Sequence, residues 1–306
     1  MLTFLASLIA SLILVRFLIW ALGRRGMVAV DYYKKDGRKV VTSGGLALLV
    51  IACSLPLIDP SPAELMAIVT ICLFGLFGLI DDFVDVGRLT KVIVPFIFSL
   101  PLFSLLSDGK LPLLGGVGVL YFVIASTYIM VTANLVNMHS GFNGMAVGLS
   151  TILIFFLLVK SMMFDRGLET LLEGMLGAHL GLLYYNKYPS RIFDGNVGSM
   201  TMGATIGVAI VLCGFLVSGF IMLIPHTANF LMYVYWRIMR KLYPKDDRWK
   251  LVKFGKVRDD GTLEVPNSLT LKWVLPRRFR MTERQVVLSM YALTTVFCLI
   301  ALPISF

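Results

Sequence analysis

Gly78-Leu79-Ile80-Asp81-Asp82-Phe83-Val84-Asp85-Val86-Gly87-Arg88-Leu89-Thr90-Lys91 sets three carboxylates and two basic residues between two long apolar runs. A charged side chain at the centre of a membrane helix costs about 2.5–3.5 kcal/mol on insertion scales, so the cluster belongs at a helix end, against a wet cavity, or both. On a helix, Asp81, Asp85 and Arg88 fall on one face at spacings of four and three, with Asp82 beside them. Clustered acids of this kind suit a divalent cation or a proton transfer. An isolated Asp-Asp pair more often marks only where an apolar helix meets water, so the rest of the chain has to decide between the two.

Composition sets the class. The 306 residues are 58% hydrophobic and 15% charged, with a mean hydropathy of +0.84, far more apolar than a soluble domain. The apolar runs are about twenty residues long and contain Gly, Pro, Ser and Thr, which reads as helices; barrel strands would be half that length and alternating. The expected fold class is an all-α polytopic membrane protein. A net charge of +10 is better explained by membrane topology than by nucleic acid, and no nucleic-acid partner is expected. Cys53, Cys72, Cys213 and Cys298 all lie inside apolar runs without metal-ligand spacing and read as packing residues. Met1–Leu22 lacks a basic start and a cleavage site, so it reads as the first span.

Ten apolar segments follow, at about 2–22, 44–58, 64–80, 92–107, 115–134, 144–164, 168–185, 197–213, 215–238 and 286–305. The connections 23–43, 81–91, 186–196 and 239–285 hold 23 of the 28 Lys and Arg residues. By the positive-inside rule these connections are cytoplasmic and both termini lie outside. Residues 1–306 read as one membrane domain, with 239–285 a cytoplasmic lid between the last two helices.

Two more polar stretches fall on the same face as the acidic one. In Asn134-Leu-Val-Asn137-Met-His-Ser-Gly141-Phe-Asn143-Gly144, Asn134 and Asn137 share a helical face, and Gly141 and Gly144 bracket Asn143 where backbone can approach a ligand. Amide oxygens can ligate a hard cation and amide groups can read a nucleobase edge. A helix C-terminus closed by Asn and Gly would explain the turn alone, but not two amides preceding it on one face. In Asn186-Lys-Tyr-Pro189-Ser190-Arg-Ile-Phe193-Asp194-Gly195-Asn196-Val-Gly198, free backbone N–H groups at a helix start can bind phosphate, and Phe193 can stack on a base. Polar groups gathered at one membrane face fit an interfacial site. A transporter would instead place them near the midplane of repeated halves, and no internal repeat is seen.

The order Asp-Asp with a Lys nine residues past the second Asp, then Asn-x-x-Asn-x-x-x-Gly-x-Asn-Gly, then Pro-Ser-x-x-Phe-x-Gly-Asn-Val-Gly-Ser, resembles the polyprenyl-phosphate N-acetylhexosamine-1-phosphate transferases. Pro225, Asn229 and Phe230 fit the same pattern. The late residues Asp260-Gly261-Thr262-Leu263 and Thr282-Glu283-Arg284 are closer to the eukaryotic and archaeal dolichyl-phosphate N-acetylglucosamine-1-phosphate transferases. The resemblance implies catalytic roles for Asp81, Asp82 and Lys91, with Lys91 on the lipid phosphate. It implies substrate contacts at Ser43, Gly44, Asn134, Gly141, Asn143, Phe193, Lys250 and Lys253, and Mg²⁺ (with Mn²⁺ as substitute) at Asn137, Asn196 and Asp194. The chain departs from the family where Gly195-Asn196 replaces Gly-Asp, since Asn keeps an oxygen donor but loses a charge. Asp194, two residues upstream, is a candidate compensation.

The chemistry so implied joins two anions. A polyprenyl phosphate oxygen attacks the sugar-bearing phosphorus of a UDP-sugar, UMP leaves, and a lipid-linked pyrophosphoryl sugar forms; cation and lysine must offset the repulsion. UDP-N-acetylglucosamine and dolichyl phosphate are the expected substrates, as in lipid-linked oligosaccharide assembly for protein glycosylation. Another UDP-N-acetylhexosamine is the alternative within the family, and a cation or metabolite transporter using Asp81, Asp82 and Asp85 the alternative outside it. The expected setting is the cell membrane or endoplasmic reticulum membrane, and a homodimer is the assembly considered.

Overall fold

Helix α1 (Leu2–Arg24) turns Ser7, Ser11, Val15, Leu18 and Leu22 inward and leaves Ile9, Ile13, Phe17 and Trp20 exposed. One face meets protein and the other is apolar enough for lipid. The computed structural model describes residues 1–84, 86–87, 89–102, 118–250 and 252–306. After α1 comes an antiparallel hairpin, β1 (Val28–Val30) and β2 (Lys39–Val41), in the register Val28 opposite Val41. Then follow α2 (Leu46–Ser54), prolonged by a 3₁₀ turn to Ile58, α3 (Pro62–Phe83) and α4 (Thr90–Ile97). The next helices are α5 (Gly118–Met138), α6 (Met145–Phe164), α7 (Glu169–Asn186) and α8 (Gly195–Leu212). The chain closes with α9 (Leu216–Met222), α10 (Ile224–Leu242), the hairpin β3 (Lys256–Val257) and β4 (Leu263–Glu264), α11 (Leu271–Arg278) and α12 (Glu283–Ala301).

The all-α membrane class stands, but the count of ten spans does not. Among the described residues six helices are long and apolar enough to cross a membrane: α1, α3, α5, α6, α8 and α12. The pair α9–α10 makes a seventh if counted as one span, and it is bent by 67°, so the segment expected at 215–238 is broken at Leu223. The segments expected at 44–58 and 92–107 are shorter apolar helices; α4 contains Pro95 and gives way to a 3₁₀ turn at Leu100–Leu102, as a proline that removes a backbone donor requires. The remainder of 92–107 and the start of 115–134 lie outside the described residues. The segment expected at 168–185 forms α7, which carries Glu169, Glu173, His179 and Asn186 and is no span by composition.

The bundle is built round α8, buried from Val197 to Val211. Helices α3, α5 and α6 pack directly on it. Small residues make this closeness possible where lipid tails give helices no hydrophobic reason to associate. The same device joins α1 to α7: a Cβ on Gly177 would stand 2.3 Å from the Phe4 carbonyl oxygen, and Ser11 Oγ donates to the Ala178 carbonyl at 2.8 Å. Lys160, within α6, donates to the Ala301 carbonyl at 3.0 Å, a cation on the C-terminal end of α12 where the helix dipole favours one. Ser61 and Glu64 form a capping box at the start of α3, and Thr282 and Gln285 form one at α12. The segment 243–282 begins after α10 ends rather than at 239. Its Leu263, Val265 and Trp273 join Tyr33, Phe142, Met145 and Val286 in a second apolar cluster, apart from the bundle core.

Candidate active site

Three connections converge on the first turn of α8. Helix α3 ends at Phe83 because Val84 takes extended angles (φ −130°, ψ 115°). The face expected for Asp81, Asp85 and Arg88 involves two residues, Asp85 and Arg88, that lie outside the described residues. Asp81 instead holds Lys91 Nζ at 2.8 Å and accepts from the Val86 N–H at 3.1 Å, tying the end of α3 to α4. Asp82 points the other way. Its Oδ1 accepts from the Asn196 N–H at 2.7 Å, and its Oδ2 accepts from Ser43 Oγ at 2.8 Å and the Val197 N–H at 3.4 Å.

Asp82 thus caps α8 from another helix. Two of the N–H groups expected there for phosphate, those of Asn196 and Val197, are taken by this carboxylate, the kind of group that a helix N-terminus attracts. Two glycines permit the approach. Gly195 has φ +72°, and a Cβ there would stand 2.6 Å from Asp82 Oδ2; one on Gly78 would stand 2.4 Å from the Asn196 carbonyl oxygen. The Gly44 and Gly45 N–H groups donate to the carbonyls of Phe193 and Asp194 at 2.7 and 2.8 Å, fixing the start of α2 to the same turn.

A cavity of about 380 Å³ opens beside this junction. Asp82, Asn137, Asp194 and Asn196 line one side, Asp31, Gly141 and Asn143 another, and Tyr32, Phe193 and Phe254 supply aromatic walls. The sequence expectations thus meet in space for Asp82, Asn137, Gly141, Asn143, Phe193, Asp194 and Asn196. Ser43 reaches the site through Asp82, and Gly44 through backbone; Asp81 and Lys91 stand just behind it. Asn134 does not line the cavity; its Nδ2 donates to the Met130 carbonyl at 2.9 Å and to the Lys91 carbonyl at 3.5 Å, beside the Asp81–Lys91 pair. Lys250 and Lys253 are exposed and do not line it either.

Asn143 is 4% exposed and its hydrogen bonds join four parts of the chain. Its N–H donates to Glu283 Oε1 at 2.7 Å, its Nδ2 to Asp31 Oδ2 at 3.2 Å, and its Oδ1 accepts from the Ser190 N–H at 2.8 Å. Lys34 sits between Asp31, at 3.4 Å, and Glu283. Sequence reasoning missed Asp31, Tyr32, Phe254 and Lys272. One of two acids, with Asp36, in the basic connection 23–43 was the available signal for Asp31. Tyr32 and Phe254 stack at 3.9 Å, a pairing that no local pattern announces. Lys272 Nζ donates to the Ser140 carbonyl at 2.6 Å; burial pulls its pKa down to about 8. Burial, with the Asp82 carboxylate adding, pushes Asp194 up to about 6. His139 is buried against His226, ring centroids 4.6 Å apart, and takes no part in the cavity.

Among the described residues no three His, Cys, Asp or Glu side chains gather as a metal cage. The lining nonetheless brings the oxygen-bearing side chains of Asp82, Asn137, Asp194 and Asn196 together, and Asn137 Oδ1 accepts from Ser199 Oγ at 3.0 Å. Mg²⁺ is commonly held by one or two carboxylates together with substrate phosphates and water, so these residues fit it.

Residues 65–214 match the sequence profile of glycosyl transferase family 4. A protein of Saccharolobus solfataricus, named as a UDP-N-acetylglucosamine–dolichyl-phosphate N-acetylglucosaminephosphotransferase, is 30% identical over 296 residues, covering 90% of this chain and 87% of that one. The chain belongs to glycosyl transferase family 4. A Sulfolobus acidocaldarius protein named for the same reaction is 29% identical, covering 98% of this chain and 94% of its own. A phospho-N-acetylmuramoyl-pentapeptide-transferase of Caldicellulosiruptor bescii is 27% identical with the same coverage. Membership in the family makes the protein a membrane transferase that moves a sugar phosphate onto polyprenyl phosphate, which decides against the transporter reading.

Proposed function

We propose that the protein transfers N-acetylglucosamine 1-phosphate from UDP-N-acetylglucosamine to a dolichyl-type polyprenyl phosphate at the cytoplasmic face of its membrane. The observation that carries this is the cavity lined by Asp82, Asn137, Asp194 and Asn196, set against the Asp81–Lys91 pair at the end of α3. In the reaction a P–O bond forms between the lipid phosphate oxygen and the sugar-bearing phosphorus. The P–O bond to the UMP phosphate breaks, and UMP leaves with the electron pair.

The residues divide the work by charge and shape. Lys91, fixed by Asp81, offers an ammonium for the lipid phosphate at the membrane end of the site. A phosphate monoester is already largely dianionic near neutral pH, its second pKa being about 6, so placing its charge matters more than removing a proton. Tyr32, Phe193 and Phe254 form walls suited to a nucleobase. Asn137 and Asn196, with Asp82 and Asp194 beside them, would hold Mg²⁺, which when bound neutralises the pyrophosphate. Segment 243–282 would cover the sugar as a lid through its shared cluster with Tyr33 and Phe142.

The names of the two archaeal relatives favour N-acetylglucosamine and dolichyl phosphate. Purified protein supplied with Mg²⁺, a panel of UDP-sugars and polyprenyl phosphates is expected to release UMP fastest with UDP-N-acetylglucosamine and dolichyl phosphate. Faster turnover with another UDP-N-acetylhexosamine would overturn the sugar assignment, and absence of UMP release with every pair would overturn the reading as a whole.

A further inference from the structure

A second cavity, of about 580 Å³, lies on the outer side of α1 and is lined by Arg16, Phe17, Trp20, Tyr185 and Arg191 among others. Arg16 sits inside a membrane helix, eight residues before Arg24 and so about 12 Å along its axis. A charge at such a depth ordinarily faces the protein interior and a partner. Arg16 does neither: the inward face of α1 is Ser7, Ser11, Val15, Leu18 and Leu22, and Arg16 is exposed. Among the described residues no carboxylate pairs with Arg16 or Arg191.

Spacings of four put Arg16, Trp20 and Arg24 in one stripe, and the Arg24 guanidinium lies 4.5 Å from the centre of the Trp20 ring. Arg191 reaches the same groove from the 187–194 connection, its guanidinium 4.9 Å from the Tyr185 ring. Two guanidiniums, a tryptophan of the kind that settles at headgroup level, and apolar Ile13 and Phe17, Ile13 lying about a turn further from Arg24 than Phe17, line one groove that is both cationic and oily.

We propose that this groove docks an anionic phospholipid, the headgroup phosphate between Arg16 and Arg191 and an acyl chain along Ile13 and Phe17. Guanidinium is the side chain best shaped to grip phosphate oxygens, and the missing counter-charge is the one that a lipid phosphate supplies. The site is separate from the catalytic cavity, although the connection that carries Arg191 also carries Phe193 and Asp194.

The test is native mass spectrometry of the full chain in detergent, titrated with phosphatidylglycerol or with phosphatidylcholine of the same acyl chains. The expected result is one retained phosphatidylglycerol, with phosphatidylcholine bound more weakly. Arg16→Gln should weaken phosphatidylglycerol binding about fivefold, the factor that corresponds to ~1 kcal/mol for a basic residue near an anionic lipid surface. Adding Arg191→Gln should weaken it about fivefold again, and Arg16→Lys should retain most of it. Arg16→Gln removes a charge from a lipid-facing position, so it serves as the folded control if the double variant does not fold. The proposal is overturned by equal binding of the two lipids, or by phosphatidylglycerol binding that Arg16→Gln leaves unchanged. It is equally overturned if inorganic phosphate alone competes as well as the lipid, if Arg16→Gln abolishes binding of polyprenyl phosphate instead, or if the stripe is found covered by a second copy of the chain.

Discussion

Asp82 combines two duties in one side chain, capping α8 with both oxygens and facing the catalytic cavity. Asp82→Asn keeps one acceptor but loses the charge, so it should lower thermal stability by about 1 kcal/mol, the usual value of a cap. UMP release should fall by about two orders of magnitude, the cost of losing one group aimed at transition-state charge; melting in detergent and a UMP assay separate the two effects. Asn196→Asp supplies the charge that Gly195-Asn196 lacks. Half-maximal activity should then need several-fold less Mg²⁺, and an unchanged Mg²⁺ dependence would remove Asn196 from the metal site. Lys272 gives a prediction in pH. Its folded pKa of about 8 lies below the ordinary lysine value, so between the two the unfolded chain holds a proton that the folded one has released. Stability from this group therefore rises as pH climbs from about 8 toward about 10.5. The melting temperature of the native protein should gain on that of Lys272→Met over this range, and a falling or flat difference would contradict the half-buried, hydrogen-bonded placement of its amino group.

At the scale of elements, the site is set by how closely α3 and the first turn of α8 approach. Gly195 adopts a left-handed φ and has Asp82 Oδ2 where a Cβ would go. Gly195→Ala therefore faces both backbone strain and a collision, and should destabilise the protein by more than the ~1 kcal/mol that a change of glycine alone brings. Gly78→Ala meets backbone rather than a movable side chain, so α3 must shift away from α8. The expected outcome is loss of activity with the bundle still helical, read by circular dichroism beside the UMP assay. Full activity in Gly78→Ala would show that the α3–α8 contact does not set the site.

For the whole molecule, Asn143, Asp31, Ser190 and Glu283 draw four distant parts of the chain together at one end of the bundle. The distribution of Lys and Arg predicts that this end is cytoplasmic. In a chain stripped of its own four cysteines, Lys250→Cys should react with an impermeant thiol reagent only from the cytoplasmic side, and Asp165→Cys only from the opposite side. The reverse pattern would invert the topology and move the active site to the other face.

Much of the class and of the site was written in composition and motif. Apolar runs and biased charge announced an all-α membrane protein, and the ordered motifs named Asp82, Asn137, Gly141, Asn143, Phe193, Asp194 and Asn196 among the residues that meet around the cavity. These features are local, each residue type being required by chemistry at its own position. Span count and partner choice were not local. Helix α7 is buried by its neighbours despite its acids, α10 bends away from α9, and α3 stops at Phe83 where Val84 turns extended. Only packing placed Asp82 on the N-terminus of α8, Asp31 against Asn143 and Tyr32 on Phe254, because each of those contacts joins residues far apart in sequence whose meeting depends on how closely small side chains let the helices approach.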